Sequence, residues 1–541
     1  MQHRWEPTNG YFDPLWSNRF EGVSRANSVL RTLSAVEGEF SESEATRVRA
    51  EARFLRAYFY FDLKKNFGNV PLLTEEVEDS DQPNNVEEEV IWPQIESDLE
   101  FAANNLPTVM PDQARVNQWA AEAYLAKAHL YQEEWGDALE HFTNVINDGA
   151  TATGVPYALE EQYNYNFNAA RQGEDWSEVV FAVEMTGNDG SGSNSNAWAG
   201  YVLNYPHAVP PFQCCGFFQP SHDLVNSFKT TGEGLPMPDA FNTAFNGMDA
   251  VLKNDQYPEN IASDEKFTPP TDASLDPRLD WTVGRRGVPF LDFGPHPGAR
   301  YDRGGYDYAG PYHSKKHVWW NRNSNVGFNT AGFFPGSGVD YPTMRFADVL
   351  LMAAEAEIQA GNGSMQDALD YVNQVRERAA NSDGFVKNSH NAAQALAVVD
   401  SESEMLATDP SQDDWVVRTD ENATYVFLGG NSEDISNWNK YPDPTQNYNI
   451  DTYTMSEFTS GLGPLRKVHF ERKLELAMEG HRMYDLWRWE RAETRMNEYF
   501  QYQGEITTDV QVGNTYRGAD VYPIPQTQLD ISSELTQNPT Y

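Results

Sequence analysis

Apolar positions fall into helical stripes toward both ends of this chain and lose that order in the middle. Between Val116 and Asn147, one stripe runs Ala120, Ala123, Tyr124, Leu130, with Lys127 on the same line, and a second runs Trp135, Ala138, Leu139, Phe142, Val145, Ile146. Spacings of three and four place each set on one helix face. The short Gln132–Glu134 link then forces an antiparallel hairpin. Tyr341–Ala380 predicts a second hairpin. Phe346, Val349, Leu350, Ala353 and Ala354 form its first stripe, Gly361–Gly363 stop it, and Ser364 with Asp367 caps a helix carrying Met365, Ala368, Leu369, Val372 and Val375. Ser41 and Glu44 read as a capping box before a long helix through Phe67, paired with Trp16–Leu33. A fourth pair is predicted within Val468–Tyr499.

Ala138 and Phe142 stand in the A-x3-F relation of a tetratricopeptide repeat, where a small residue lets the partner helix approach an aromatic one. The predicted fold is therefore mainly α: a tetratricopeptide-like helical-repeat scaffold of four helical pairs, with a large loop-rich, irregular aromatic region inserted. Residues 1–541 read as one composite domain. It has an N-terminal helical-repeat part (14–150), a loop-rich part (151–340) and a C-terminal helical-repeat part with irregular inserts (341–541). Gly, Pro, Asn and Asp punctuate the middle part every few residues, as in GNDGSGSNSNAWAGY (187–201) and GPHPGARYDRGGYDYAGPY (294–312), which signals turns and long loops. Ordered loops on a rigid frame are where binding functions sit.

Composition narrows the function. The 541 residues carry 39 Lys and Arg against 81 Asp and Glu, a net charge of −42. Such a surface repels phosphate and excludes a nucleic-acid partner; it reads as solubility and a high-salt habitat. At 40% hydrophobic and 13% aromatic the chain has ample core material, so composition-driven disorder is excluded. The two cysteines, Cys214 and Cys215, are adjacent. They make no disulfide framework and no zinc spacing; a vicinal disulfide between them is open, and reduced structural thiols are the preferred reading. No apolar run approaches the roughly 18 residues of a membrane-spanning helix.

Catalytic signatures are missing: no G-x-S-x-G elbow, no H-E-x-x-H, no phosphate-binding glycine loop. His313 and His317 are four apart but flank Lys315 and Lys316, which oppose a metal. Asp189 starts a calcium-like loop that lacks the later acidic ligands. No cofactor is expected; a structural calcium ion built on carbonyls stays open. The aromatics say more. Trp198, Tyr201, Tyr301, Tyr306, Tyr308, Tyr312, Trp319 and Trp320 sit among Gly, Asn and Asp rather than in apolar stripes. Such rings cover the C–H face of a sugar while neighbouring polar groups bind its hydroxyls. At least one exposed platform is expected among them. Trp119, Trp135, Trp487 and Trp489 lie on helical stripes and are expected to pack.

Several segments resemble the SusD/RagB family of glycan-binding outer-membrane lipoproteins. They include EARFLRAYFYFDLKKNFGNVPLLTEE (51–76), IESDLEFAANNLP (95–107), AAEAYLAKAHLYQEEWGDALEHFTNVI (120–146) and QPSHDLVNSF (219–228). DPRLDWTVGRRG (276–287), GPYHSKKH (310–317), MRFADVLLMAAEAEIQAG (344–361), VNQVRERA (372–379), ERKLELAMEGHRMYDLWRWE (471–490), YPIPQTQLD (522–530) and LTQNPTY (535–541) follow in family order. The resemblance covers nearly the whole chain. It implies a binding protein and not an enzyme, which captures an oligosaccharide outside the cell and delivers it to a SusC-like TonB-dependent transporter. It also implies an outward-facing place on the outer membrane, through a lipid anchor that would precede the Trp5 segment.

By position, the resemblance assigns Trp5 to a first ligand loop and Tyr306, Trp319 and Trp320 to a second. With Trp198 and Tyr301 they make the expected ligand-binding set; no catalytic and no metal residue is assigned. The charge favours a neutral marine glucan, such as a laminarin-type polymer. The alternatives are another polysaccharide, including an anionic one met by Arg285, Arg286, Arg300 and Arg303, a peptide, or a glycoside hydrolase.

Overall fold

A computed structural model describes residues 5–36, 38–77, 81–84, 89–173, 175–191, 196–197, 204–207, 212, 215–242, 274–293, 296, 301, 312–321, 324–329, 336–387, 415–419, 424–428, 444–504, 514–516 and 518–541. Five helices open the chain: α1 (Phe12–Ala35), α2 (Glu42–Phe67), α3 (Ile91–Asn105), α4 (Gln118–Tyr131) and α5 (Trp135–Asp148). Each packs on the next, so the array runs continuously and α3 fills the place between the two predicted pairs. The capping box forms as expected: Ser41 Oγ accepts from Glu44 N–H, whose carboxylate accepts from Ser41 N–H. Asn117 caps α4, accepting from Ala120 N–H at 2.9 Å. Its Nδ2 donates to the carbonyls of Thr108, Ala150 and Thr151, tying both ends of the hairpin together. Ala138 and Phe142 are fully buried at the helix contact.

The scaffold resumes at α7 (Phe346–Gln359) and α8 (Met365–Ala380), separated from α5 in sequence by the middle region and a short helix α6 (His222–Ser227). α7 packs against α5 and α8, so the second hairpin extends the first. A side chain at Gly363 would place its Cβ 2.0 Å from the Glu357 carbonyl oxygen, so the turn between α7 and α8 requires glycine there. The predicted fourth pair resolves into three shorter helices, α9 (Pro464–Glu475), α10 (Arg482–Arg488) and α11 (Ala492–Gly504). Left-handed residues Met478, Gly480 and Glu490 interrupt the run.

Strands are few and short. β1 (Val179–Val183) pairs antiparallel with β4 (Tyr341–Arg345), which leads into α7. β2 (Val283–Gly284) pairs with β3 (His313–Ser314). One large apolar cluster runs through the helices, and a separate one lies inside the middle region. Among the described residues no helix is long and apolar enough to cross a membrane.

Candidate functional site

The loop-rich region builds a core of its own, and three of the expected platform rings, Tyr301, Trp319 and Trp320, are inside it. Trp319 is 1% exposed. Tyr205 and Phe293 meet its ring edge-on at 4.7 and 5.8 Å, and Phe212 is tilted against it at 5.2 Å. Trp320, 3% exposed, leans on Trp281 at 6.1 Å, whose indole N–H donates to the Gly384 carbonyl at 2.6 Å. Tyr301, 7% exposed, is enclosed by Phe212, Phe290, His296 and His313 at 5.2–5.8 Å. Trp5 belongs to a different cluster. Tyr522, Trp487 and Tyr516 surround it edge-on at 4.9, 5.8 and 6.2 Å.

The structure thus corrects the expectation of exposure for Tyr301, Trp319 and Trp320, which are buried, while Trp5 is half-buried. Long loops rich in Gly and Asn still need an apolar centre, and the largest rings supply it. Trp198 and Tyr306 lie outside the described residues. Trp119 and Trp135 pack against the helical cluster, Trp487 is buried, and Trp489 stacks on His469; these four are packing residues, as expected.

The sequence reading missed three phenylalanines that do reach the surface of this region. Phe293 and Phe217 are half-buried against the middle cluster, and Phe218 is 51% exposed. Phe293 also packs against Phe212 at 4.7 Å, so its ring is seated on buried Trp319 and Phe212. A search restricted to Trp and Tyr passes over them, because Phe lacks a polar tip. For Phe217 and Phe218 the signal that would have found them is the apolar run CCGFF (214–218), flanked by prolines; Phe293 has no comparable run.

The polar groups beneath this surface are committed to one another. His313 donates from Nε2 to the Tyr301 carbonyl at 2.8 Å, which leaves Nδ1 to accept from His296 Nε2 at 3.0 Å. His317 faces elsewhere, edge-on to Phe167 at 5.6 Å. Burial pushes both His313 and His317 down to about 3, so both are neutral. Lys315, lowered to about 7 by burial, donates to the Pro289 carbonyl at 2.7 Å. Arg285 grips Asp280 with two bonds of 2.8 and 2.9 Å, and so is withdrawn from the expected anion-binding set. Asp189 accepts from Ser191 N–H at 2.9 Å and from Asn196 at 2.6 Å, closing its loop on itself. Cys215 is disulfide-bonded, which corrects the reading of reduced thiols; the chain's one other cysteine is its neighbour Cys214.

A buried ion network fixes this region to the scaffold. Glu178, Asp276, Glu471, Glu475 and Glu479 meet Arg278, Arg345, Arg376, Arg378 and Lys316, all of them buried. Arg278 spans Asp276 (2.6 Å), Glu471 (2.6 Å) and Glu475 (3.1 Å). Arg378 holds Glu178 at 2.9 Å, Arg376 holds Glu471 at 2.9 Å, and Lys316 reaches Glu479 at 2.7 Å. Burial lowers Lys316 to about 8 against the pull of Glu479. Five named carboxylates against five cations leave the set close to neutral, which is what makes its burial tolerable.

A family model described as the SusD family matches residues 177–408 and 445–541, and one described as starch-binding, associating with the outer membrane, matches 1–130. The "SusD-like protein P2" of Formosa agariphila is 26% identical over 376 residues, which is 69% of this chain and 63% of that protein. The match therefore spans less than two thirds of that relative's length. A SusD-like carbohydrate binding protein from Bacteroides fragilis shares the fold with a TM-score of 0.63 at 20% identity, covering 98% of this chain and 87% of that one. A laminarin binding SusD-like protein does so with a TM-score of 0.55 at 21% identity, covering 99% and 87%.

Proposed function

This chain belongs to the SusD family, and from that premise we propose that it is a cell-surface glycan-binding protein whose site lies on the loop-rich middle region. The observation that carries this reading is the Phe293 ring, part-exposed and seated on the buried Trp319 and Phe212. A rigidly backed aromatic face is what the C–H face of a pyranose stacks on. Phe217 and Phe218 add apolar surface to the same region. Trp198, Tyr306 and the half-buried Trp5 are the remaining candidate rings from the sequence; Tyr301, Trp319 and Trp320 serve as support.

The preferred ligand in this proposal is a neutral glucan of the β-1,3-linked laminarin type. A net charge of −42 disfavours an anionic chain, and Arg285, one of the cations that would offset it, is spent on Asp280. Laminarin is also what one protein of similar fold binds. The protein acts as a binder and not a hydrolase. It delivers its ligand to a SusC-like TonB-dependent transporter, from an outward-facing position on the outer membrane where a lipid anchor holds it.

The test is affinity gel electrophoresis against a panel of neutral and anionic polysaccharides, with reducing-end release followed over hours. Retardation by laminarin without release supports the proposal. Retardation only by an anionic glycan, or progressive release of reducing ends, sinks its ligand or its binder claim respectively.

A further inference from the structure

Outside the loop-rich aromatic region, the helical scaffold gathers three metal-ligating side chains. Glu96 comes from α3, His129 from the last turn of α4 and Glu134 from the link into α5; one ligating atom of each lies within 4.8 Å of the other two. The local backbone explains the convergence. Glu133 adopts a left-handed φ of 62°, an uncommon conformation away from glycine, and Glu134 N–H returns to the His129 carbonyl at 3.0 Å. The Glu134 carboxylate is thereby folded back on the imidazole, 2.6 Å from His129 Nδ1. Gln132 holds the third ligand by donating to a Glu96 oxygen while also donating to the Ala128 carbonyl at 3.2 Å.

Burial grades across the cluster. His129 is buried, Glu96 half-buried and Glu134 exposed. One ligand is therefore fixed, two have room to rotate, and the outer side is open to water. Behind His129, the His141 ring stacks parallel at 5.5 Å and 4° and is itself held by Glu122 at 2.8 Å.

We propose that Glu96, His129 and Glu134 bind a divalent transition metal ion of the zinc class, pinning α3 to the α4–α5 junction. One imidazole nitrogen with two carboxylate oxygens is a zinc-type donor set; calcium and magnesium take oxygen alone. The two carboxylates neutralise the ion's charge. Bonds of about 2.0–2.2 Å require the two mobile glutamates to close in on His129 by side-chain rotation, with water completing the shell. The ion would cross-link three elements whose own contacts are those of an ordinary helical array, so its effect is on scaffold stability.

Isothermal titration of chelator-stripped full chain with zinc chloride tests this, alongside Glu96→Gln, Glu134→Gln and His129→Ala. The two glutamine variants keep their packing, and circular dichroism checks the fold of all three. The expected result is one tight site per chain, a rise in melting temperature of about 2 °C at a hundredfold excess over Kd, and at least tenfold weaker binding in each variant. Magnesium should neither bind the site nor compete. Two results would overturn the assignment: no saturable zinc binding by the wild type, or equal zinc affinity in the wild type and both glutamine variants, which would place the ion on other carboxylates of this acidic chain.

Discussion

Arg345 and Glu479 form a two-pronged ion pair, Nε to Oε2 at 2.8 Å and Nη2 to Oε1 at 2.9 Å, with both side chains buried. The pair joins the end of β4 to the turn beyond α9, and Arg345 also reaches Glu475 at 3.1 Å and Glu178. Through Glu178, Arg345 is one of the points at which the loop-rich region is fixed to the helical scaffold. Arg345→Ala takes one of the cations from each of three buried carboxylates and leaves the network one positive charge short in a low-dielectric interior, so we expect a loss of about 3–5 kcal/mol. Arg345→Lys keeps the charge but not the fork, and should fall between the two. Urea unfolding of the three proteins gives the order; equal stability of the alanine variant would mean the network is idle.

The support rings and the surface rings should separate in mutagenesis. Trp319→Ala removes a side chain that is 1% exposed and should cost about 3–5 kcal/mol. Phe218→Ala touches a ring that is 51% exposed and should stay within about 0.5 kcal/mol of wild type. Phe293→Ala should weaken glycan binding about tenfold, a stacking loss of about 1.4 kcal/mol, while the protein stays folded. Thermal melts beside affinity electrophoresis make the comparison. A Trp319→Ala protein of native stability that no longer binds would return the ligand to that ring.

Asp340 gives a pH signature. Burial raises its carboxyl from 3.8 to about 7, with Glu184 nearby adding to the rise, although Met185 N–H donates to it at 2.6 Å. The folded protein therefore holds a proton that the unfolded chain releases between about pH 4 and 7, and stability from this group falls as pH rises through that window. In Asp340→Asn that fall is removed. Wild type and variant should agree near pH 4, diverge between about pH 4 and 7, and hold a constant difference above pH 7, with the variant more stable by up to about 4 kcal/mol. Lys315, lowered to about 7, changes stability in the opposite sense above that pH but is common to both proteins. Denaturation curves at pH 4, 6 and 8 that run parallel would remove Asp340 as the cause.

The helical scaffold was legible because its signals are local. Ser41 with Glu44, Ser364 with Asp367, and the glycine stop at 361–363 are each readable within four residues of chain, and each forms as read. α3 escaped pattern reading because its stripe, Ile91, Ile95, Leu99, Ala102, stands alone between two hairpins. The fourth pair broke into three helices at left-handed residues whose identity, Met478 and Glu490, announces nothing. The aromatic region was the least legible. Trp5 is half-covered by Trp487, Tyr516 and Tyr522 from the far end of the chain, and Trp319 is enclosed by Tyr205, Phe212 and Phe293 across the middle loops. A polar sequence neighbourhood says little about enclosure of that kind.

Affinity electrophoresis of the wild-type chain in gels containing laminarin or a uronate-rich polysaccharide tests the central claim most directly. The account predicts retardation by laminarin, loss of that retardation in Phe293→Ala and in a Trp198→Ala, Tyr306→Ala double variant, and no retardation by the anionic gel. Free migration of the folded wild type through every polysaccharide tested would contradict glycan binding.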